Sequence, residues 1–513
     1  MLHRTGNTAH VGNGVMTMRR NFQEFLSPAT LAAMNIILKG FDGHPTEKGM
    51  LEEALNGLTI GTCISIANEQ SFLPDLRVRE HIWISAKRQR EAQYDDVDWT
   101  AITPLDEERI EQMRRTEAVF VRMIERYARH KDIPYDERKR QYFDHLRYWN
   151  DVLTTKRIDL VLMNNVPHQC YDWILYGLCK IKGIRVLAME RCFTTDACYF
   201  VEDLDESSVE LRDRLVELQR EYADPKKPVP LSPKYEEYFR LYSREKVQPW
   251  SPIWRKKHFK RKSFVGKWSG TALRLLVQKP STLTRSVLST RVWARKLHQH
   301  RTFQLYDEHV IQPDLSAPYV YVPLQLQPEA TTMPMAGAYV DQERIIQLLA
   351  WHLPPGILLY VKEHPAQEEL CRSPSFYQSL FEIPSVRFLP RDFDSFALSA
   401  SSIAIATGTG TAAFEGLFRG KPVLLFGHRF FQYAAGVHLI RTTDDCRQAM
   451  EKILHGEKPS ARDARLLLKA VEDTGILCTS GLESPLETRT PEEKARVTAQ
   501  HIRLLVQRAG NRA

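Results

Sequence analysis

Apolar residues recur along the chain in short runs separated by longer amphipathic stretches. MNIILKG (34–40), LTIGTCISIA (58–67), IDLVLMNN (158–165) and IRVLAME (184–190) read as strands, with helical periodicity at 47–55, across the charged stretch 106–149, and in YDWILYGLCKIKG, which closes on Gly183. A second series starts at Tyr319. YVYVPL, GILLYVKE, VRFLP, IAIA and PVLLFG read as strands, with helices expected at about 341–353, at 393–400 and up to Arg419. Alternating strands and helices predict parallel sheets covered on both faces. At 513 residues the chain exceeds what one core supports. The expected organisation is a flexible N-terminus (1–30), a Rossmann-like domain (31–245), a basic helical connector (246–306), a second Rossmann-like domain (307–460) and C-terminal helices as a buttress (461–513). In such α/β units ligands bind beyond the carboxyl ends of the strands, so a cleft between the two domains is the expected site.

Composition is that of a globular protein, with 43% hydrophobic and 10% aromatic residues. The apolar runs are far shorter than the roughly 20 residues that cross a bilayer, and the N-terminus has polar residues where a signal peptide needs an apolar core, so neither a membrane span nor export is expected. Eight cysteines occur with no C-x-x-C pair. Cys170, Cys179, Cys192 and Cys198 form the one cluster, and without paired short spacings they read as reduced core thiols. The net charge of +8 is unevenly placed, because fifteen Lys or Arg and no acid lie between Lys246 and Tyr306. That segment interleaves its cations with Trp254, Phe259, Phe264 and Trp268. Such a pattern fits a nucleic acid, an anionic membrane surface or a solvated helix pair.

Three constellations carry candidate chemistry. In IAIATGTGTAAFEG, Thr407, Gly408, Thr409, Gly410 and Thr411 stand where a strand ends and a helix begins, a corner whose amides and hydroxyls cradle phosphate; Glu415, further along the helix, is placed to accept ribose hydroxyls. In Lys362-Glu363-His364-Pro365 the proline stops a strand and sets His364 at its lip, where an imidazole can donate to a phosphate oxygen, beside Lys362. The loop PLQLQPEATTMP offers Gln325, Gln327, Glu329, Thr331 and Thr332 past another strand end. Asp-x-Asp triplets at 96–98, 203–205 and 392–394 read as solvated turns and helix caps.

These residues, in the run YVPLQLQPEATT, LLYVKEHP and ATGTGTAAFEGLFRGKPVLLFGHRFF, together with LVLMNNVPHQCYDWILYGLCKIKGIRVLAMERC, resemble the capsular polysaccharide and surface-carbohydrate glycosyltransferases of GT-B fold, over roughly 155–200 and 318–440. The resemblance implies transfer of a sugar from a nucleotide-activated donor, a CMP-sugar as in Kdo transferases, to a glycan or glycolipid acceptor. It implies no cofactor and no required metal. It places the nucleotide on the second domain, with His364 and Glu363 in the catalytic set. The base that takes the acceptor's proton is left open among His168, Asp172 and Glu190. It also favours the membrane reading of the basic segment over nucleic acid, and so a cytoplasmic protein on the inner face of the membrane. CDP-polyol phosphotransferases share the His-Pro lip, but TGTGTAAFEG departs from their Asp-Tyr-Ser-Ser pattern. The same fold would also suit a nucleotide-sugar epimerase or a non-catalytic glycan-binding protein.

Overall fold

The computed structural model describes residues 33–42, 45–70, 74–127, 133–192, 194–244, 290–367, 372–477 and 486–510. The expected flexible N-terminus, the bulk of the basic connector (245–289), Cys371 and Cys478 lie outside the described residues. The six described cysteines are buried and free.

Two sheets form, as the two apolar series predict. The first carries β1 (Met34–Lys39), β2 (Ile60–Ala67), β3 (Val78–Ser85), β4 (Leu160–Met163) and β5 (Arg185–Arg191), parallel in the order β5-β4-β1-β2-β3, with β6 (Ala197–Val201) antiparallel on β5. The second is wholly parallel. Its strands β7 (Tyr319–Pro323), β8 (Leu358–Lys362), β9 (Val386–Leu389), β10 (Ala404–Thr407), β11 (Val423–Leu425) and β12 (Val437–Leu439) take the order β12-β11-β10-β7-β8-β9. β1, β4, β7 and β10 consist of near-continuous apolar residues because helices cover both faces of each sheet.

In each sheet the chain starts in the middle and fills one side before the other. The order therefore reverses between β1 and β4 in the first sheet and between β7 and β10 in the second. Such switch points open a crevice at the carboxyl edge, where the loops leaving two neighbouring strands part in opposite directions. Lys39 ends β1 and Asn164 follows β4; Leu324 follows β7 and Gly408 follows β10.

Several elements differ from the sequence reading. The stretch 106–149 is not one helix: it divides into Glu107–Gln112, Arg114–Met123 and a 3-10 turn Ile124–Tyr127, followed by a new helix Tyr135–Thr155. Pro134 immediately precedes that last helix, where a missing N–H costs nothing. β3 leaves no clear trace in the sequence because it is a half-exposed edge strand whose residues mix Arg, Glu and His with Ile and Trp. The C-terminal region is more than a buttress. β13 (Ile476–Leu477) pairs antiparallel with β6, and helix Pro491–Gly510 buries Ala499, Ile502 and Val506 against Met50, Leu51 and Ala54 of helix Pro45–Leu55. Helix Thr290–Glu308, assigned by sequence to the connector, seats Tyr306 in the core of the second sheet, where its hydroxyl donates to the Leu389 carbonyl at 2.6 Å.

The carboxyl edges of the sheets meet. Glu190 at the end of β5 forms an ion pair with Arg429 (3.3 Å) and accepts the Phe430 N–H (3.1 Å), both from the loop that leaves β11. Arg429 also donates to the Arg191 carbonyl at 3.2 Å, Phe430 stacks on Tyr199, and Arg122 forms an ion pair with Asp341 beyond the β7 loop.

Candidate functional site

At the second edge, the glycines and threonines of the Thr407–Thr411 corner are engaged mainly with the protein itself. Thr409 donates its amide to Gln325 Oε1 and accepts from Gln325 Nε2, both at 2.9 Å, and its hydroxyl donates to the Thr331 carbonyl. Thr407 Oγ1 accepts the Gly410 N–H at 3.1 Å. A Cβ on Gly408 would lie 2.6 Å from Gln325 Oε1. The corner is small-residue-rich because two loops close on it, which corrects the expectation that Thr407 and Thr409 turn their hydroxyls to a phosphate. Gly427, opposite, donates its N–H to the Gly408 carbonyl at 2.7 Å. A Cβ there would sit 2.6 Å from the Met335 carbonyl and 2.7 Å from that of Gly408. Both are backbone atoms that cannot step aside. Gly427→Ala is accordingly expected to destabilise the protein by about 1–3 kcal/mol, the usual cost of overpacking, in urea denaturation.

The β7 loop is likewise built inward. Gln327 donates to the Val340 carbonyl (2.7 Å) and exchanges backbone hydrogen bonds with the Gln367 side chain (2.9 and 2.8 Å), while Thr332 is fully buried and donates to the Glu329 carbonyl (2.9 Å). Gln325, Gln327 and Thr332 are thus scaffold; Glu329 and Thr331 keep accessible surface.

Glu363 is fully buried. It pairs with Arg372 at 2.6 Å, and accepts from the Tyr377 hydroxyl (2.6 Å) and from the His364 N–H (2.7 Å). A carboxylate so enclosed cannot touch a substrate, so Glu363 moves from the catalytic set to the support of His364. Arg372 in turn donates to Gln327 Oε1 (3.0 Å) and to the Gln325 carbonyl (2.5 Å), so one guanidinium fastens the His364 lip to the β7 loop. Sequence reading missed Arg372: an isolated arginine in CRSPSF carries no motif, and its role exists only once β7 and β8 are neighbours. Lys362 is also buried and donates to the Arg391 carbonyl at 3.2 Å. Burial lowers its pKa to about 8, with Asp392, Glu363 and Asp394 opposing that fall.

His364 itself is half-buried, and its Nδ1 accepts the Ala366 N–H at 3.1 Å. An amide can only donate, so a neutral His364 carries its proton on Nε2, which makes that nitrogen a hydrogen-bond donor. Glu415, half-buried, bears electrostatically on Arg419 and Tyr321, on the side of its helix toward Ser395–Ser401. The second-edge candidates that keep surface for a ligand are His364, Gly410, Thr411, Glu415, Glu329 and Thr331.

The first edge is built around the crevice between β1 and β4. Lys39 forms a buried ion pair with Asp172 at 2.6 Å. Burial would raise the Asp172 pKa; the Lys39 and His168 charges outweigh it, and the carboxylate stays below its ordinary range. Asn164 ties the crevice walls by donating to the Gly40 carbonyl (2.9 Å) and to Glu47 (2.7 Å). His168 lies half-buried with its Nδ1 2.6 Å from the Val166 carbonyl. A carbonyl can only accept, so Nδ1 holds the proton and Nε2 presents a lone pair. Burial, reinforced by the Lys39 and Arg126 cations and opposed by Asp172, pushes the His168 pKa down to about 4. The ring is neutral at physiological pH. The remaining two base candidates are sequestered: Asp172 by Lys39, and Glu190 by Arg429, the Phe430 amide and the Ser207 hydroxyl.

Four of the six Asp-x-Asp acids sit in caps, local hydrogen bonds or surface ion pairs, while Asp205 pairs with Arg115 of helix Arg114–Met123 at 3.0 Å. Asp96 pairs with Arg88 (2.7 Å), Asp98 accepts from Thr100 (2.6 Å), Asp203 pairs with Lys180 (2.5 Å), and Asp394 caps helix Ser395–Ser401. A hollow between the domains is lined by Arg115, Trp173, Leu204, Asp205, Met335 and His428, and none of the sequence-predicted site residues borders it.

Two parallel-stranded Rossmann-like domains meeting at their carboxyl edges define a GT-B-like architecture. Residues 281–464, which include the whole second sheet, match the family model described as capsule polysaccharide biosynthesis protein, so the resemblance read from the motifs is borne out over that span. Among solved structures the chain is similar to a Thermosulfurimonas dismutans KpsC β-Kdo 2,4 transferase, at 13% identity over 61% of this chain and 79% of that one, with a TM-score of 0.30. It is also similar to the β-Kdo 2,7 transferase of that KpsC (12%, 72% and 97%, TM-score 0.25) and to the Methanocaldococcus jannaschii UDP-GlcNAc 2-epimerase (10%, 86% and 99%, TM-score 0.23). No curated protein sequence matches the chain.

Proposed function

We propose that the protein is a glycosyltransferase of capsule polysaccharide synthesis, moving a sugar from a nucleotide-activated donor, a CMP-sugar first among them, onto a capsular glycan or its lipid-linked precursor. The observation that carries this reading is the opposite tautomers of two histidines on the two carboxyl edges. His364 is set to donate from Nε2, as a group facing a donor phosphate must, and His168 is set to accept at Nε2, as a base facing an acceptor hydroxyl must. In the reaction the acceptor oxygen attacks the anomeric carbon, His168 takes its proton, and the sugar–phosphate bond breaks. The departing nucleotide carries the new negative charge, which His364 and the backbone around Gly410 and Thr411 stabilise. Glu415 takes the nucleoside sugar.

The basic segment 246–306 would hold the enzyme to the anionic inner leaflet, near a lipid-linked acceptor. No helix among the described residues is long and apolar enough to cross a membrane.

Titrating CMP, CDP and UDP against the intact chain while following its melting temperature tests the donor side. One nucleotide is expected to raise stability by about 2.7 kcal/mol at 100 times its Kd. The gain should shrink in His364→Ala. Melting curves that none of the three nucleotides moves would contradict a nucleotide site.

A further inference from the structure

The 3-10 turn Ile124–Tyr127 brings Arg126 to the first edge, one turn beyond Arg122, which reaches across to Asp341. Arg126 is half-buried, and its Nε and Nη2 atoms are shut off from water and meet no hydrogen-bond acceptor among the described residues. A buried donor left unmade is costly, and more so when charged, so native proteins keep few of them without a use.

The turn follows the end of helix Arg114–Met123, which packs against the start of helix Tyr171–Lys182, where the Cys170 N–H meets Met123 Sδ at 3.2 Å, two residues after His168. In keeping with that placement, the Arg126 charge deepens the depression of His168 and opposes the burial-driven rise of Cys170 and Tyr127. The nearby acids are engaged by others. Asp172 is paired with Lys39, Glu125 with Arg122 and Arg138 (both 3.3 Å), and Asp42 accepts the Asn68 backbone and side-chain N–H groups (2.5 and 2.7 Å). Lys39 and Asp172 cancel and His168 is neutral, so among the described residues Arg126 is left as a cation near His168 that no carboxylate pairs.

We propose that Arg126 is an anion-binding residue of the acceptor site, its guanidinium gripping a carboxylate or phosphate that the acceptor carries close to the hydroxyl being extended. This rests on the reading of the first edge as the acceptor side. A planar guanidinium binds either oxyanion through two parallel N–H donors, which fixes orientation as well as position. The acceptor class is therefore an acidic sugar chain or a lipid phosphate, rather than a neutral glycan.

Calorimetric titration of the intact chain tests this with two matched pairs: a glucuronic acid-ended disaccharide against its glucose-ended counterpart, and a short polyprenyl phosphate against the polyprenol. The acidic member of at least one pair should bind ten or more times tighter, and which pair responds identifies the source of the anion. Arg126→Gln should reduce that preference to within twofold, Arg126→Lys should keep part of it, and neither should change nucleotide affinity. Equal binding within both pairs by the wild-type chain overturns the proposal even if Arg126→Gln does not fold. So does a preference that survives in folded Arg126→Gln, or a nucleotide affinity that falls in that variant, which would put the guanidinium on the donor. A wild-type chain with the acidic preference but no nucleotide binding supports the anion site while sinking the transferase reading.

Discussion

His168→Ala is expected to lower kcat/KM for sugar transfer by about 10²–10⁴, the range lost when a positioned general base is removed, with nucleotide affinity unchanged. The reasoning begins at Val166, whose carbonyl holds the Nδ1 proton and leaves Nε2 as the basic nitrogen. Burial and the Lys39 and Arg126 charges then lower the pKa to about 4. The base is present above that pH and is lost as pH falls through it, so the acid limb of kcat/KM should lie near pH 4 rather than near the ordinary histidine value of about 6.5. A His168→Ala variant within threefold of wild type, or an acid limb that stays in place when His168 is replaced by Gln, would remove His168 from the proton transfer.

Arg372→Met should be the most destabilising single change at the second edge, costing about 3–5 kcal/mol in urea denaturation, because it leaves the Glu363 carboxylate buried and unpaired. The pair is almost wholly out of water, at 2% and 0% exposure. The expected signature is non-additivity: Glu363→Gln combined with Arg372→Met should recover part of the loss, since the neutral amide no longer needs a cation. A loss below about 1 kcal/mol in Arg372→Met would mean that Glu363 escapes by taking up a proton or reaching water. Transfer activity should fall in Arg372→Met as well, since the same guanidinium holds the β7 loop to the His364 lip through Gln327 and Gln325.

The architecture is legible in the chain because fully buried parallel strands leave an unbroken apolar trace, as in LVLM and YVYVP, and because Gly183 closes its helix in the left-handed conformation only glycine adopts readily. The positions of the candidate residues are legible too, at strand ends. What each residue does there is less so. Thr409, Gln325 and Gln327 have the polarity of ligand groups, yet they bind one another, and nothing in a single sequence separates a hydroxyl turned inward from one turned out. Glu363 next to His364 has the look of a catalytic pair until Arg372, Tyr377 and the His364 amide are seen to enclose it. In the sequence Arg126 is one more charge on a long helix. Its position depends on helix Arg114–Met123 passing into the 3-10 turn Ile124–Tyr127, a change with no local signature in the sequence. The Glu190–Arg429 pair links residues 239 positions apart and has no local signature at all.

The most direct test of sugar transfer is the mass of the product. Incubated with CMP-, CDP- and UDP-sugars and an acidic or lipid-linked oligosaccharide acceptor, the intact chain should yield an acceptor heavier by one sugar residue and one equivalent of released nucleotide, with His168→Ala and His364→Ala yielding little of either. An altered nucleotide-sugar with an unchanged acceptor, or transfer of a polyol phosphate in place of a sugar, would contradict it.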